Sequence, residues 1–375
     1  MNKIILFLLC FLLGSSFSTF AQGRDREIKI SRQQESPVKT VKVRGKGKIK
    51  NVVFMIGDGM SLAHMYSTWA ANKGKLNLEN CQTVGLAKTY CCDRLITDSG
   101  AAGTALATGH KTRYHAVGVD PEGKPLLTLT DLAAAKSKST GVVVTCRLND
   151  ATPAAFCAHN SDRDQAEELI ADYAGCGVDF IFGGGKRYFC ERKDGRNILE
   201  EMKALGYQTP ENQEQLDAIQ TGKVLAVWAD HDLPRPSVRK EMLTESTMKA
   251  LELLSQNKKG FFLMVEASQI DDYGHANQLD PLVEEILDFD RTIGKVFEWA
   301  ADGETLVVVT ADHETGGLTL VGGSLPEGEI IGKFSTGDHS GVMVPVYAFG
   351  PGAELFTGIY ENTDIFEKIK YLLKL

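Results

Sequence analysis

Beyond its first residues, the 375-residue chain has no apolar run long enough to span a membrane. It also lacks an excess of basic residues, since 41 Lys and Arg stand against 49 Asp and Glu, a formal net charge of −8. Nucleic-acid-binding proteins more often carry a basic face, so this balance argues against nucleic acid as a partner. The remaining composition, 43% hydrophobic and 24% charged, is that of a globular protein.

Two common functional motifs are also missing. No two cysteines have the C-x-x-C spacing of a structural zinc site. Gly183-Gly184-Gly185 lacks the spacing and the Lys-Ser/Thr ending of a P-loop, and we interpret it as a turn. Seven cysteines follow residue 21, and an odd number cannot all pair within one chain. Cys176 and Cys190 are one candidate pair.

The first 21 residues have the pattern of an export signal. Lys3 precedes an apolar run from Ile4 to Leu13, and small and polar residues then lead to a cleavage site after Ala21. The alternative, a membrane anchor, is disfavoured because the run is too short to span a bilayer comfortably. The sequence therefore predicts a periplasmic or extracellular protein without stable membrane insertion. Residues 22–49 are polar and basic, and we expect a flexible arm rather than a nucleic-acid-binding tail.

Short apolar runs alternate with helical patterns through the rest of the chain. Such runs predict buried strands, and strands that alternate with helices predict an α/β fold with a mainly parallel central sheet and helices on both faces. No repeat or low-complexity linker divides residues 50–375, so we expect a single domain there. The predicted strands are Asn51–Ile56, Gly141–Thr145, Val178–Phe182, Gly260–Val265, Thr305–Thr310 and Val344–Phe349.

Acidic and imidazole side chains follow three of these strands at the point where each strand ends. Asp58 follows the first strand, Glu266 follows Val265, and Asp312-His313 follow Thr310. Ligands of open α/β sheets bind at the carboxyl ends of the strands. Any one of these residues alone could be a turn former or a helix cap, but together they predict a polar site at one edge of the sheet.

Two further histidines extend this pattern. Asp271 and His275 are four residues apart, so they share one face of a helical turn, a spacing suited to a common metal ion. His339 lies in a loop before the strand Val344–Phe349. We interpret four other histidines as structural: His64, His110, His115 and His159. His231, in Asp230-His231-Asp232, is assigned to a substrate-side loop without metal.

Ser99 is the candidate nucleophile. The small residues after it allow close packing and a helix that starts at the serine, and a helix N-terminus favours an anion such as phosphate. The alternative from this segment alone is a serine that only caps the helix.

Together these segments resemble the alkaline phosphatases, in the same order and with similar internal spacing, from about residue 50 to the C-terminus. The matching segments are Asp58-Gly59-Met60, Thr97-Asp98-Ser99, Thr104-Ala105, Thr108-Gly109, Asp150 to Ala155, Glu266 with Asp271 and His275, Thr310 to His313, and His339-Ser340-Gly341.

The resemblance implies a metal-dependent phosphomonoester hydrolase with two Zn²⁺ ions and one Mg²⁺ ion. The implied ligands of one zinc are Asp271, His275 and His339. Those of the second zinc, which would contact Ser99, are Asp58, Asp312 and His313. This division agrees with the preference of imidazole nitrogen for zinc.

The implied magnesium ligands are Asp58, Thr152 and Glu266, all of which offer oxygen. Asp150 matches the position that holds magnesium-bound water, and Arg163, eleven residues after Thr152, matches the arginine that binds phosphate oxygens. The resemblance further implies a phosphoserine intermediate on Ser99, small phosphomonoesters as substrates, and compatibility with a homodimer.

Three alternatives remain at this stage: a phosphodiesterase or sulfatase of the same superfamily, a phosphosugar mutase, and a non-enzymatic phosphate- or metal-binding protein. Ser99 is not in the Pro- and Arg-containing motif of a sulfatase, and the export signal disfavours a mutase. One departure from the family pattern is Asp272, where other members carry Lys, His or Trp. A second is the short interval of about twenty residues between Gly317 and Gly337, where larger members carry an inserted domain.

Overall fold

A computed structural model describes residues 26–32, 35–44 and 47–375. The predicted export signal, residues 1–21, lies outside the described residues. Within the described ranges, every helix is either too short or too polar to cross a membrane.

The described chain forms 15 strands and 13 helices, with two additional 3-10 turns at Asn77–Asn80 and Ala353–Phe356. The strands are β1 (Ile28–Ser31), β2 (Asn51–Gly57), β3 (Thr83–Lys88), β4 (Ser139–Arg147), β5 (Phe180–Gly184), β6 (Tyr207–Gln208), β7 (Lys223–Val227), β8 (Phe261–Ala267), β9 (Thr305–Thr310), β10 (Glu314–Thr315), β11 (Leu318–Ser324), β12 (Glu329–Phe334), β13 (His339–Ser340), β14 (Val344–Phe349) and β15 (Gly358–Glu361). The helices are α1 (Leu62–Ala71), α2 (Ser99–Thr108), α3 (Leu129–Ala135), α4 (Ala151–Ala154), α5 (Ala166–Tyr173), α6 (Lys186–Cys190), α7 (Ile198–Ala204), α8 (Gln213–Ala218), α9 (Pro236–Arg239), α10 (Met242–Leu254), α11 (Gln269–His275), α12 (Leu279–Ala300) and α13 (Asn362–Leu373).

Ten strands form one central sheet in the order β15-β3-β14-β9-β2-β8-β4-β5-β7-β6. Neighbouring strands pair in parallel except at β14, which runs antiparallel to both β3 and β9. Every residue of β2, β8 and β9 is buried, as expected for parallel strands that are covered on both faces. One group of helices, α10 and α12, packs against β4, β8 and β9, and a second group includes α3, which also contacts β4 and β8. The predicted α/β class and mainly parallel sheet are therefore confirmed.

The predicted strands agree with the structure to within a few residues, whereas the turn assigned to Gly183-Gly184-Gly185 is only partly right. Gly183 and Gly184 are the last residues of β5, and Gly185, with φ of 92°, begins the turn. A Cβ atom on Gly184 would lie 2.0 Å from the carbonyl oxygen of His231. Glycine is therefore needed here for close contact with another segment, which a local pattern does not reveal.

The expectation of a flexible arm at residues 22–49 is wrong for the described part of that segment. Ile28–Ser31 forms β1, which pairs antiparallel with β12 in a three-stranded sheet of order β1-β12-β11. The alternation of Ile28 and Ile30 with polar neighbours is the signal of a half-buried strand. Four residues are too few to distinguish this signal from a polar segment by composition alone.

Three asparagines bind the next part of the arm to the body of the protein. Their side-chain oxygens accept backbone N–H groups of the arm: Asn72 from Ser36 (2.7 Å), Asn77 from Lys39 (3.1 Å) and Asn80 from Val41 (2.7 Å). The arm therefore has an ordered course over the domain surface.

All seven cysteines of the described chain are free thiols. The Cys176 thiol donates to the carbonyl of Tyr173 at 3.3 Å, while the Cys190 thiol donates to the carbonyl of Lys186 at 3.2 Å. The candidate pairing of Cys176 with Cys190 is therefore not formed in this structure.

A buried ion triad joins helices α9 and α12. Arg239 contacts Glu285 at 2.6 Å and Asp288 at 2.7 Å, and all three side chains are 0% exposed. We expect Arg239→Met to lower the free energy of unfolding by about 3–5 kcal/mol, because it leaves the buried Glu285 carboxylate without a counter-charge and leaves Asp288 with Arg291 as its remaining partner. Urea denaturation at constant pH measures this change.

The matched control is Arg196→Met, which removes an arginine from an ion pair with Glu201 whose side chains are 43% and 39% exposed. Exposed pairs contribute about 1 kcal/mol or less. Similar small losses in the two variants would contradict a stabilising role for the buried triad.

Candidate active site

The three strands that carry the predicted strand-end residues are direct neighbours. β2 lies between β8 and β9, and Ile56 is in register with both Glu266 and Thr310. Asp58, Glu266 and Asp312 therefore leave the same edge of the sheet close together. Gly59 N–H donates to the Asp312 carboxylate at 3.1 Å, which connects the loop after β2 to the loop after β9.

Helix α11 follows β8 directly and adds Asp271 and His275 to this edge. Their predicted i,i+4 relation holds, with His275 Nε2 located 3.2 Å from Asp271 Oδ2. His339 comes from β13, which pairs with β10 so that His339 lies opposite Thr315. The Nε2 atoms of His275 and His339 are 3.1 Å apart, so the structure brings the predicted histidines together.

Hydrogen bonds at the opposite side of each ring determine which nitrogen is available. His275 Nδ1 lies 2.7 Å from the carbonyl oxygen of Gly337, and His339 Nδ1 lies 2.8 Å from that of Thr97. A carbonyl oxygen can only accept, so both Nδ1 atoms carry hydrogen, and in the neutral state that metal binding requires the two rings present Nε2 lone pairs to each other. Two facing lone pairs repel unless a cation lies between them, which is the arrangement of metal-ligating histidines.

The buried carboxylates give a second sign that cations belong here. Asp58 Oδ1, Glu266 Oε1 and Asp312 Oδ2 are buried and have no hydrogen-bond partner among the described residues. Burial and the charges of neighbouring carboxylates raise the pKa of Asp58 and of Glu266 well above the usual range. Multivalent cations would offset this repulsion. The mixture of imidazole and carboxylate donors fits zinc, and the oxygen donors of Asp58, Thr152 and Glu266 fit magnesium.

The cluster contains two groups of three residues whose ligand atoms all lie within 4.8 Å of one another inside each group. The first group is Asp271, His313 and His339, and the second is Asp58, Asp312 and His313. His313 therefore stands between the two groups, and its ring stacks on that of His339 with centroids 3.6 Å apart. Thr152 Oγ1 donates to Asp58 Oδ2 at 3.4 Å. The predicted oxygen ligand is thus adjacent to the carboxylate with which it is expected to share an ion.

Charges within the cluster shift the histidine pKa values in opposite directions. The hydrogen bond to Asp271 raises the pKa of His275 to about 9, while burial and the charge of His313 lower the pKa of His339 to about 4. For Asp271, burial opposes ionisation, but the hydrogen bond with His275 and the charges of His313 and His339 lower its pKa below the usual range.

Ser99 is the first residue of helix α2, and Asp98 is its N-cap. The Asp98 carboxylate accepts from Gly100 N (3.1 Å) and Ala101 N (3.2 Å), so the alternative of a capping serine is excluded. Ser99 is 4% exposed, and its Oγ lies 3.2 Å from His313 Nε2. The serine hydroxyl is therefore free from a capping role and faces the carboxylate–imidazole cluster.

Arg163 lies beside Ser99 in a line of ion pairs. Its guanidinium contacts Asp98 and Asp150, each at 2.9 Å, and Asp150 in turn contacts Arg147 at 3.1 Å. Arg147 also binds Asp232 at 3.0 Å. These contacts hold the fork of Arg163 in one orientation.

Three residues of the site were not predicted from the sequence, namely Arg147, Asp232 and Thr315. Thr315 donates to Asp271 and lies 3.2 Å from His313 Nδ1, so it orients two predicted ligands. Arg147 is the last residue of β4. Its position at a strand end is a signal in the sequence, because three other strand ends had already been assigned to the site. The assignment of His231 to a loop without metal is compatible with its contact to Arg187.

His115, interpreted as structural from the sequence, lines the cavity of Ser99. Its ligand atom also lies within 4.8 Å of those of Asp162 and Asp164, in a cluster that is partly exposed to solvent. The cavity has a volume of about 620 Å³ and includes Ser99, Arg163, Asp271, His275 and His339 in its wall.

A mainly parallel sheet that ends in a carboxylate–imidazole cluster beside a buried serine defines a metal-binding hydrolase of the α/β class. Comparison with known proteins specifies the family. The model of the alkaline phosphatase family matches residues 49–333 and 329–375. Alkaline phosphatase 4 of Bacillus subtilis is 34% identical, over 91% of this chain and 92% of its own length.

Solved structures similar to this chain are also alkaline phosphatases. Alkaline phosphatase from the Antarctic bacterium TAB5 is 38% identical and superposes with a TM-score of 0.84, over 88% of this chain and 99% of its own. A mutant of that protein with Mg bound in its M3 site is also 38% identical, with a TM-score of 0.83 over 87% and 98% of the two chains. The chain belongs to the alkaline phosphatase family and is a phosphomonoester hydrolase.

Proposed function

We propose that this enzyme is exported and hydrolyses phosphomonoesters through a phosphoserine intermediate on Ser99. The observation that carries the proposal is the position of Ser99 Oγ, which is buried, uninvolved in capping and 3.2 Å from His313 Nε2. The proposal includes two zinc ions and one magnesium ion held by the carboxylates, histidines and Thr152 predicted from the sequence. When bound, these ions supply positive charge that lowers the pKa of a nearby hydroxyl and offsets charge on phosphate oxygens.

The chain's own groups support in-line transfer to Ser99. The guanidinium of Arg163 favours a dianionic phosphate next to Oγ, whereas the N–H groups of Gly100 and Ala101 at the start of α2 are already bonded to Asp98. In the first step Ser99 loses its hydroxyl proton, the Ser99 Oγ–P bond forms and the ester P–O bond breaks, and the departing oxygen takes up one proton to become the alcohol. In the second step a water oxygen bonds to phosphorus, the Ser99 Oγ–P bond breaks, and one water proton returns to Ser99 Oγ as inorganic phosphate is released.

The activity test compares p-nitrophenyl phosphate with bis(p-nitrophenyl) phosphate. A monoesterase is expected to have a much higher kcat/KM for the first substrate, because Arg163 and the cation cluster bind charge that the diester lacks. Preference for the diester would instead support a phosphodiesterase. Phosphate binding without turnover of either compound would support a binding protein.

Arg163 is expected to bind phosphate oxygens with its planar fork. Arg163→Ala should raise the inhibition constant of inorganic phosphate and lower kcat/KM. The expected loss of transition-state stabilisation is about 1–3 kcal/mol, the range of a charge-assisted hydrogen bond. Some activity should persist because the proposed zinc and magnesium ions still offset the negative charge of the phosphate group. Arg196→Ala, on the exposed surface, is the matched control. An unchanged phosphate inhibition constant in Arg163→Ala would exclude contact with phosphate.

Asp272 adds negative charge next to Asp271 and close to Asp150 and Asp232. The residue is exposed at the surface, but partial loss of hydration and the charges of these neighbours raise its pKa to about 7, so its full negative charge is present at alkaline pH. At about 7 Å, one charge is worth roughly 0.6 kcal/mol in water. Because the residue is exposed, we expect Asp272→Lys to lower the phosphate inhibition constant about threefold to tenfold at low salt.

The control for this charge reversal is Asp302→Lys, which lies before β9 at the opposite edge of the sheet. Phosphate inhibition is measured at low and at high salt for both variants. Equal constants for Asp272→Lys and the unmodified enzyme at low salt would mean that the charge at position 272 does not reach the phosphate site.

A further inference from the structure

The cavity of Ser99 extends beyond the space that a phosphate group needs. Its volume is about 620 Å³, whereas five heavy atoms of about 30 Å³ each would occupy roughly 150 Å³. The outer part of the segment before Ser99 contributes Arg94, Leu95 and Ile96 to the wall, and Tyr114 lies beside Arg94. These four residues have no part in the proposed phosphate chemistry, and they face the space into which a leaving group would extend.

Arg94 presents a cation at this outer wall. Its guanidinium carbon lies 3.9 Å from the centroid of the Tyr114 ring, and no described residue forms an ion pair with it. The adjacent Asp93 carboxylate is engaged elsewhere, since its Oδ1 accepts from Tyr114 N at 2.9 Å and from the Cys91 thiol at 3.4 Å. The charge of Arg94 is therefore available to a ligand.

Backbone hydrogen bonds hold the segment of Arg94 in place. Cys91 N–H donates to the carbonyl of Arg94 at 3.2 Å, and Cys92 N–H donates to that of Thr112 at 2.9 Å. Together with the Asp93–Tyr114 contact, these bonds orient Arg94 before any substrate arrives, which lowers the entropic cost of binding. Leu95 and Ile96 are 76% and 36% exposed and add apolar surface beside the cation.

We propose that Arg94, Leu95 and Tyr114 form a leaving-group subsite that favours phosphomonoesters whose alcohol has an apolar or aromatic body and a second negative charge. The apolar body would cover Leu95, and the second anion would pair with Arg94. The five-residue separation between Arg94 and Ser99 limits their Cα distance to about 17 Å, so a leaving group of one or two rings can extend toward the cation. This inference rests on the proposed phosphomonoesterase activity.

The test measures kcat and KM of the metal-loaded enzyme and of Arg94→Gln with three substrates. These are phenyl phosphate, 4-carboxyphenyl phosphate and the longer 4′-carboxybiphenyl-4-yl phosphate. Dividing each variant value by the unmodified value for the same substrate removes differences in leaving-group reactivity. We expect Arg94→Gln to raise KM for at least one carboxylate substrate about threefold to fivefold more than for phenyl phosphate, the range of an exposed ion pair. The difference should largely disappear at about 1 M salt.

Two variants complete the design. Arg94→Lys retains the charge and should retain most of the preference, which separates a charge effect from a loss of loop structure. Arg113→Gln removes a nearby exposed arginine that donates to the carbonyl of Pro121 at 2.7 Å and does not line the cavity. It should affect the three substrates equally.

Equal effects of Arg94→Gln on all three substrates would overturn the subsite. Absence of phenyl phosphate turnover in the unmodified enzyme would instead refute the proposed function, so the two failures are distinguishable.

Discussion

Ser99→Ala is expected to lower kcat/KM for p-nitrophenyl phosphate by at least about a thousandfold, because the variant lacks the only oxygen proposed to form the bond to phosphorus. The fold should be retained. Asp98, not Ser99, caps helix α2, and alanine is well accepted inside a helix. The zinc and magnesium contents should also be unchanged, since the proposed ligands are other residues.

Mass spectrometry of acid-quenched enzyme tests the same assignment directly. Unmodified enzyme mixed with substrate should carry phosphate on Ser99, and Ser99→Ala should carry none. Ser161→Ala, which removes an exposed hydroxyl from the loop before Arg163, should keep both the label and the activity. Phosphate on another residue, or full labelling of Ser99→Ala, would show that the nucleophile is misassigned.

Removal of metal ions is expected to abolish activity, and added zinc with magnesium should restore it. Without cations, the facing Nε2 atoms of His275 and His339 and the buried carboxylates of Asp58 and Glu266 have no positive charge between them. Elemental analysis of the purified protein should give about two zinc ions and one magnesium ion per chain.

Thermal stability provides a readout that does not depend on turnover. Because ions that bind only the folded state stabilise it, chelation should lower Tm and added zinc should raise it. His275→Ala should lose about one zinc, whereas His110→Ala, whose ring lies 2.9 Å from the carbonyl of Thr108, should keep all ions. Full activity of metal-free protein would refute the metal-dependent mechanism.

The proximity of the site residues was predictable because their positions follow from strand geometry. Asp58, Glu266 and Asp312 each come at the end of an almost wholly apolar run, and parallel strands end at one edge of a sheet. The order of the strands was not predictable from these runs. β2 pairs with β8 and β9, whose partner residues follow those of β2 by 210 and 254 positions, and nothing local to these segments specifies the pairing.

Side chains that orient the predicted residues were missed because their partners are distant in sequence. Arg147 and Asp232 form an ion pair across 85 residues, and Thr315 donates a hydrogen bond to Asp271 across 44 residues. The helix start at Ser99 was ambiguous for a different reason. Asp98 and Ser99 are both good N-cap residues, and only the backbone conformation distinguishes them.

The pairing of β1 with β12 has a consequence for solubility. β12 pairs with β11 on one side and with β1 on the other, so β1 satisfies backbone N–H and C=O groups that would otherwise form an open strand edge. Open edges recruit strands from other molecules. A protease that cut after the asparagine-bound segment would therefore allow β1 to dissociate. The edge of this four-residue strand would be replaced by the longer edge of the six-residue β12, which favours self-association while every residue of the proposed active site stays in place.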